Sequence, residues 1–261
     1  MEAVRHAQAA QDWDLAGRLL AGHWPGLYLD GQAAVIHELL AGFPAGQLVA
    51  DAELAAVAAG DELARGSLEA AERYLTLAER GMASVPEGRQ EQARLLAGMA
   101  RLLLARQRGD RPAVAEEARL QATAEAQEAA QGGLGEELRA LALISLGSTE
   151  LLVARFEEAE RYLEQSVALA RRIGRPYLEF SGLVYAAAIA YYRSFALALE
   201  RGRQAAELAE RHGWPDAAAA GLASLTVGGV LTWQGRLEEA EPWVQRAERG
   251  LRAEAEPAGD E

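Results

Sequence analysis

Three stretches of this chain write nearly the same helix start: "RGSLEAAERYL" at 65–75, "ARFEEAERYL" at 154–163 and "GRLEEAEPWV" at 235–244. A sequence that repeats itself in this way stacks one supersecondary unit, because a single copy cannot bury its apolar face alone. Alignment on the bulky residue that opens the repeated helix gives Trp13, Leu68, a weaker match at Arg111, then Phe156, Phe195 and Leu237. The successive intervals are 55, 43, 45, 39 and 42 residues. Three residues after the opener stands a small side chain in the clear copies, Ala16, Ala71, Ala159, Ala198 and Ala240, which lets two helices approach closely. Six residues after it come Leu19, Tyr74, Tyr162 and Trp243, large groups suited to the groove against a neighbouring helix. Nine residues before it, Gly147 and Gly228 fall inside the preceding helix, where glycine costs about 1 kcal/mol unless close packing requires it.

Helix is the only element the pattern supports. Ala, Leu, Glu, Arg and Gln dominate, apolar residues return at three and four, and no run alternates with period two. Punctuation falls at Gly81 to Pro86, Gly109 to Pro112, Gly132 to Gly135, Gly174 to Pro176, Gly213 to Pro215 and Gly235. Gly supplies a left-handed C-terminal cap, and a following Pro suits the start of the next helix. The expected fold is all-α, an α-solenoid of about six stacked helical hairpins forming one domain over 1–252. The acidic, Pro-bearing stretch 253–261 reads as a disordered tail.

The formal charge of -13 gives no positive field to gather nucleic acid or an anionic membrane, so neither is an expected partner. All 26 basic residues are Arg, and neither Lys nor Asn occurs. With no Cys there is no disulfide framework, thiolate metal site or cysteine nucleophile. No apolar run reaches a membrane span of about 20 residues and the N-terminus is not a signal peptide, so a soluble cytoplasmic location is expected. Catalysis is not expected either. His6, His23, His37 and His212 are scattered, and the last sits at an expected helix C-terminus, where an imidazolium suits the dipole. Glu116–Glu117, Glu157–Glu158 and Glu238–Glu239 lie at or near second-helix starts, where carboxylates complement the positive end of the dipole. The cluster Gly132-Gly133-x-Gly135 lacks a preceding strand and reads as a loop, and no zinc or nucleophile-elbow signature is present. No metal or cofactor is called for.

The Gly-x-bulky-x-x-Ala pattern resembles the tetratricopeptide helical repeat, which implies a right-handed superhelix, although the spacing exceeds the usual period of about 34 and so implies longer helices or loops. A more specific resemblance lies in the first 80 residues. "HAQAAQDW" at 6–13, "HWPGLYLDG" at 23–31 and Glu38-Leu39-Leu40 with Phe43-Pro44, followed by "RGSLEAAERYLTLAER", resemble the start of the repeat region of large LuxR-type, ATP-dependent bacterial transcriptional activators of the maltose-regulator kind. In that family the repeats lie between a nucleotide-binding switch module and a helix-turn-helix, and sense an inducer. This chain has no Gly-x-x-x-x-Gly-Lys-[Ser/Thr] loop and no DNA-binding helices after Arg252. The resemblance therefore implies a sensor domain excised from a larger regulator, with a free-standing adaptor as the alternative.

On first helices, the positions fifteen, twelve, eight, five and four before the opener share one face, the concave side in the resembling repeats. They are Leu141, Ile144, Ser148, Leu151 and Leu152; then Phe180, Leu183, Ala187, Ala190 and Tyr191; then Leu222, Leu225, Gly229, Thr232 and Trp233. Aromatic residues concentrate towards this end of the chain, at Tyr177, Tyr185, Tyr191, Tyr192, Trp214 and Trp233. Flat apolar faces beside hydroxyls suit a sugar-like inducer. The candidate ligand-binding residues are Ser148, Phe180, Tyr185, Tyr191, Thr232 and Trp233, with a ligand bridging several first helices and stiffening the stack. A partner protein or peptide is the rival occupant. The absence of Lys and Asn removes the carboxylate-clamping mode of some tetratricopeptide co-chaperones but leaves apolar helix docking open. In the resembling regulators, self-association is also part of control.

Overall fold

The computed structural model describes the backbone of residues 1–128, 135–214 and 218–255, with the side chains of 121–128, 135, 218 and 251–255 left undescribed. Among the described residues there are fourteen α-helices and no strand. Six hairpins account for twelve of them: α1 (Glu2–Ala9) with α2 (Trp13–Leu29), α5 (Ala52–Ala64) with α6 (Leu68–Gly81), α7 (Glu87–Arg108) with α8 (Arg111–Glu128), α9 (Gly135–Leu152) with α10 (Phe156–Ile173), α11 (Pro176–Ala190) with α12 (Phe195–His212), and α13 (Ala218–Trp233) with α14 (Leu237–Ala255). Two short helices, α3 (Ala33–Ala41) and α4 (Ala45–Ala50), stand between the first and second hairpins and explain why the first interval is the longest. Every residue chosen as an opener, Arg111 included, begins a helix. The fold is the expected all-α repeat of stacked hairpins.

One turn geometry recurs. The residue two before the opener is left-handed in five hairpins: Gln11 (φ 58), Gly66 (φ 77), Gly109 (φ 67), Ala154 (φ 58) and Gly235 (φ 73). The next amide then reaches back five residues to a carbonyl of the first helix, as in Asp12 N to Ala7 O, Ser67 N to Glu62 O, Asp110 N to Ala105 O, Arg155 N to Glu150 O and Arg236 N to Leu231 O. This is the Schellman closure, and it consumes carbonyls that a helix end leaves without partners. The α11–α12 turn is built differently: Ser194 is extended and its hydroxyl caps α12 by accepting from Leu197 N.

Contacts group the chain into two compact units, Met1–Gln127 and Glu128–Glu261. In the N-terminal unit α5 is buried along nearly its whole length, and Trp24 of α2 lies directly over Gly60, where an added Cβ would stand 2.2 Å from the indole. In the C-terminal unit, Phe180, Leu183 and Val184 of α11 pack with Ala205, Leu208 and Ala209 of α12 and Ala220 and Ala223 of α13. The small residue three after each opener is buried in every clear copy.

The large residue six after the opener lies at the margin of the core, and Trp243 packs on a buried cluster, that of Ala198, Val227, Val230, Leu231 and Ala240. Leu19, Tyr74, Tyr162 and Trp243 are half-buried, and Arg161 and Arg246 lie over the Tyr162 and Trp243 rings at 5.2 and 5.0 Å. The inward position is the following one. Leu20, Leu75 and Leu163 are buried, and Leu163 occupies the space opened by Gly147, as Val244 faces Gly228. Position seven lies about 40° to one side of the small residue at three and position six about 60° to the other, which leaves position six nearer the margin of the stripe.

Two sequence expectations fall largely outside the described residues: the loop 132–134 and the tail beyond 255. The stretch 253–255, assigned to the tail from sequence, belongs to α14. No helix among the described residues is long and apolar enough to cross a membrane.

Candidate functional site

The face picked on first helices is not one continuous open wall. On α9, Leu141, Ile144 and Ser148 are buried, and on α11 so are Phe180, Leu183, Ala187 and Ala190. This face packs on the following first helix, which is why Phe180 and Leu183 share a cluster with Ala220 and Ala223 of α13. On α13 the same positions open: Leu222 and Gly229 are half-buried and Leu225 is 47% exposed.

The six candidate residues therefore separate. Phe180 is a fully buried core residue, with its ring 5.9 Å from Tyr177 and 5.8 Å from Trp214. Ser148 is buried and its hydroxyl donates to the Ser145 carbonyl, which also accepts from Thr149. Tyr185 is half-buried against Ala159, Leu163, Ala186 and Ile189. Tyr191 is half-buried, and Gly229 exists to admit it: a Cβ there would meet the Tyr191 ring at 3.1 Å. Thr232 is exposed, with its hydroxyl donated to the Gly228 carbonyl, and Trp233 is 73% exposed. The structure places Tyr191, Thr232 and Trp233 at the turn edge, buries Phe180 and Ser148, and packs Tyr185 on the same cluster as Phe156.

That edge is formed by the hairpin turns of the C-terminal unit. Leu152 (67% exposed) and Val153 come from the first turn, Tyr192 (66%) and Phe195 from the second, Trp233 and Leu237 (63%) from the third. Rings connect the copies. Phe156 stacks on Tyr192 at 5.1 Å, Tyr192 meets Tyr191 edge-on at 5.5 Å, and Tyr191 lies 5.9 Å from Phe195. Tyr191 in turn covers Gly229, one helical turn before Trp233. Large apolar groups held in water this way, across three consecutive turns, are the usual mark of an interaction surface. Of the corresponding turns of the N-terminal unit, "ARGSL" at 64–68 and "QRGDR" at 107–111 are polar, and "AAQDW" at 9–13 carries one large apolar residue, Trp13, half-buried with its ring 6.0 Å from that of Phe43. Sequence reasoning had Leu152, Tyr191, Tyr192 and Trp233 among its residues but passed over Val153 and the openers Phe195 and Leu237. The missed signal was position: apolar residues four, three and zero places from an opener, at the turn between the two helices of a hairpin.

Charge surrounds this edge unevenly. Arg155 pairs with Glu150 at 3.3 Å and with Glu158; Arg193 pairs with Glu160 at 2.9 Å and Arg236 with Glu239 at 2.7 Å. Hydrogen bonds from Arg155 and Arg236 hold the Glu158 and Glu239 carboxyls below the ordinary carboxylate range. The turn arginines are thus spent on carboxylates of their own surface. Beside the edge an open cleft of about 520 Å³ is lined by Glu157, Glu160, Arg161, Glu164, Gln165 and Arg193. The Glu-Glu pairs of the helix starts are split in the same way, Glu116 bound to Arg119 and Glu117 to Arg101. His37 meets Asp61 at 2.9 Å, and His212 stacks on Trp214 at 4.9 Å.

No protein-family model matches the sequence, and no curated protein matches it. Among solved structures, a Rap protein complexed with competence and sporulation factor is similar over 93% of this chain and 67% of its own, with a TM-score of 0.66 and 12% identity. BtubC from P. vanneervenii is similar over 93% of this chain and 94% of its own, with a TM-score of 0.49 and 17% identity. At 12% identity the likeness to the Rap protein fixes the fold alone, that of a helical-repeat protein.

Proposed function

We propose that this chain is a non-catalytic helical-repeat interaction module that docks a partner protein on the turn edge of its C-terminal unit. The observation that carries the reading is the run of exposed apolar side chains from Leu152 to Leu237 across three turns, against two polar turns, at 64–68 and 107–111, in the N-terminal unit. A partner protein suits this surface better than a small inducer. The hydroxyls of Ser148 and Thr232 are spent on backbone carbonyls, and the edge is an open rim without an enclosed apolar pocket to desolvate a sugar. The solved Rap protein, similar in fold, was captured in complex with a factor, which supports partner binding as a use of this architecture. In the setting that the N-terminal motifs suggest, docking would be the sensing step of a larger LuxR-type regulator, and a free adaptor would use the same surface.

Photo-crosslinking from the edge tests the reading. A benzophenone side chain at position 192 or 233 is expected to capture a protein in the source cells, while one at position 111 gives no such adduct. Equal capture at all three positions, or none at the edge, would overturn the assignment. The regulator setting is read separately from the native size of the polypeptide: a band several times larger than 27.9 kDa supports it, and a band at that size supports the adaptor.

A further inference from the structure

The chemistry of the docked partner can be read from the same edge, an inference that rests on the docking proposal above. We infer that the occupant is a cationic amphipathic helix of a partner protein, lying across the three turns. Its first support is electrostatic. Arg155, Arg193 and Arg236 are neutralised by Glu150, Glu158, Glu160 and Glu239, whereas no ion pair engages Glu157, Glu200, Glu238 or Glu241 among the described residues. All four are exposed; against them stand Arg161, which lines the cleft with Glu157, and Arg203, whose charge reaches Glu239, so the apolar strip is bordered by an excess of carboxylates. Such a border attracts Lys or Arg flanking an apolar stripe and repels an acidic segment or an anionic lipid surface.

The second support is the backbone. The carbonyls that end α9 and α13 are taken by the Schellman amides of Arg155 and Arg236, and the α11 carbonyls by Tyr191, Tyr192, Arg193 and Ser194. Among the described residues the edge offers no strand for an extended peptide to pair with, whereas a helix satisfies its backbone internally. Spacing agrees. Packed helices stand about 8–10 Å apart, and seven residues of helix advance about 10.5 Å, so anchors at i and i+7 meet successive hairpins.

The test uses the full chain and three synthetic probes about four turns long: a Leu/Lys amphipathic helix, its Leu/Glu counterpart, and the Leu/Lys sequence interrupted by Pro. Binding is followed by calorimetry and by the tryptophan emission, whose exposed contributor Trp233 shifts to the blue when covered. The Leu/Lys helix is expected to bind at least about tenfold more tightly than either other probe, and to weaken as salt rises. Tyr192→Ser with Trp233→Ser, and separately Glu157→Gln with Glu238→Gln and Glu241→Gln, are expected to lower that affinity about five- to tenfold. Glu69→Gln with Glu87→Gln and Glu91→Gln, exposed on α6 and α7, serves as the charge-matched control and leaves it unchanged. Circular dichroism establishes that each variant is folded. Equal binding of the Leu/Glu probe would overturn the charge inference, and equal binding of the Pro probe the helical one, with docking intact in both cases. If no probe binds, or if the edge variants bind as the parent does, the docking proposal itself falls.

Discussion

Left-handed backbone is inexpensive for glycine and costs other residues about 1–2 kcal/mol, yet Gln11 and Ala154 adopt it where three sibling turns have Gly66, Gly109 and Gly235. Ala154→Gly and Gln11→Gly are therefore expected to raise stability by about 0.5–1 kcal/mol each, the strain relieved being partly offset by the freer unfolded chain. Urea midpoints would show it, and a loss of stability would contradict the turn geometry. Glu53 presents a different cost. It is almost wholly buried, burial pushes its carboxyl above the ordinary 4.5, and Arg89, 2.6 Å away, opposes the rise without cancelling it. The native state then holds this proton to higher pH than the unfolded chain, so the contribution is most favourable at low pH and declines as pH climbs above 4.5. Glu53→Gln should flatten that decline, seen as a smaller fall in Tm relative to the parent between about pH 4 and 7. An unchanged pH profile would refute it.

Helix starts were legible because local chemistry sets them. Carboxylates in the first turn, a bulky opener and a small residue three places on are features of a single helix, and they marked Trp13, Leu68, Phe156 and Leu237, with the opener and Ala198 alone marking Phe195, without any tertiary knowledge. Arg111, chosen by interval alone, also begins a helix, since the period is a property of the stack. Register was less legible: Tyr74 and Leu75 are adjacent and both large, and only packing shows that Leu75 goes inside. The glycines in first helices belong to the same pairing. A methyl at Gly147 would stand 2.5 Å from Leu163, which is fully buried, whereas one at Gly228 would stand 3.1 Å from Val244, which is exposed enough to move. Gly147→Ala is expected to cost about 1–3 kcal/mol and Gly228→Ala clearly less, despite the better helix propensity of Ala. Chemical denaturation of the two variants checks the order, and equal costs would mean that Leu163 has room to shift.

At the scale of the whole molecule the question is which apolar residues are left for a partner. Tyr192→Ser combined with Trp233→Ser and Leu237→Ser should change stability by less than about 0.5 kcal/mol per site, because these side chains lie mostly in water, while binding of an apolar fluorescent dye should drop. A large fall in stability would show that the edge belongs to the core. Phe180 and Trp233 are both aromatic, both lie on first helices and both occupy the same helical face; in sequence they differ in distance from the opener, fifteen places against four. Phe180 is covered because α13 follows α11 and packs on it, and Trp233 is bare because it ends its helix at a turn. Composition and periodicity by themselves determined the helical class, the hairpin repeat and the helix starts, since each depends on interactions within about four residues or on a repeated interval. Which apolar side chains are core and which form a docking edge was decided only by the tertiary structure, because burial depends on which neighbour stacks where, and that is a relation between residues tens of positions apart.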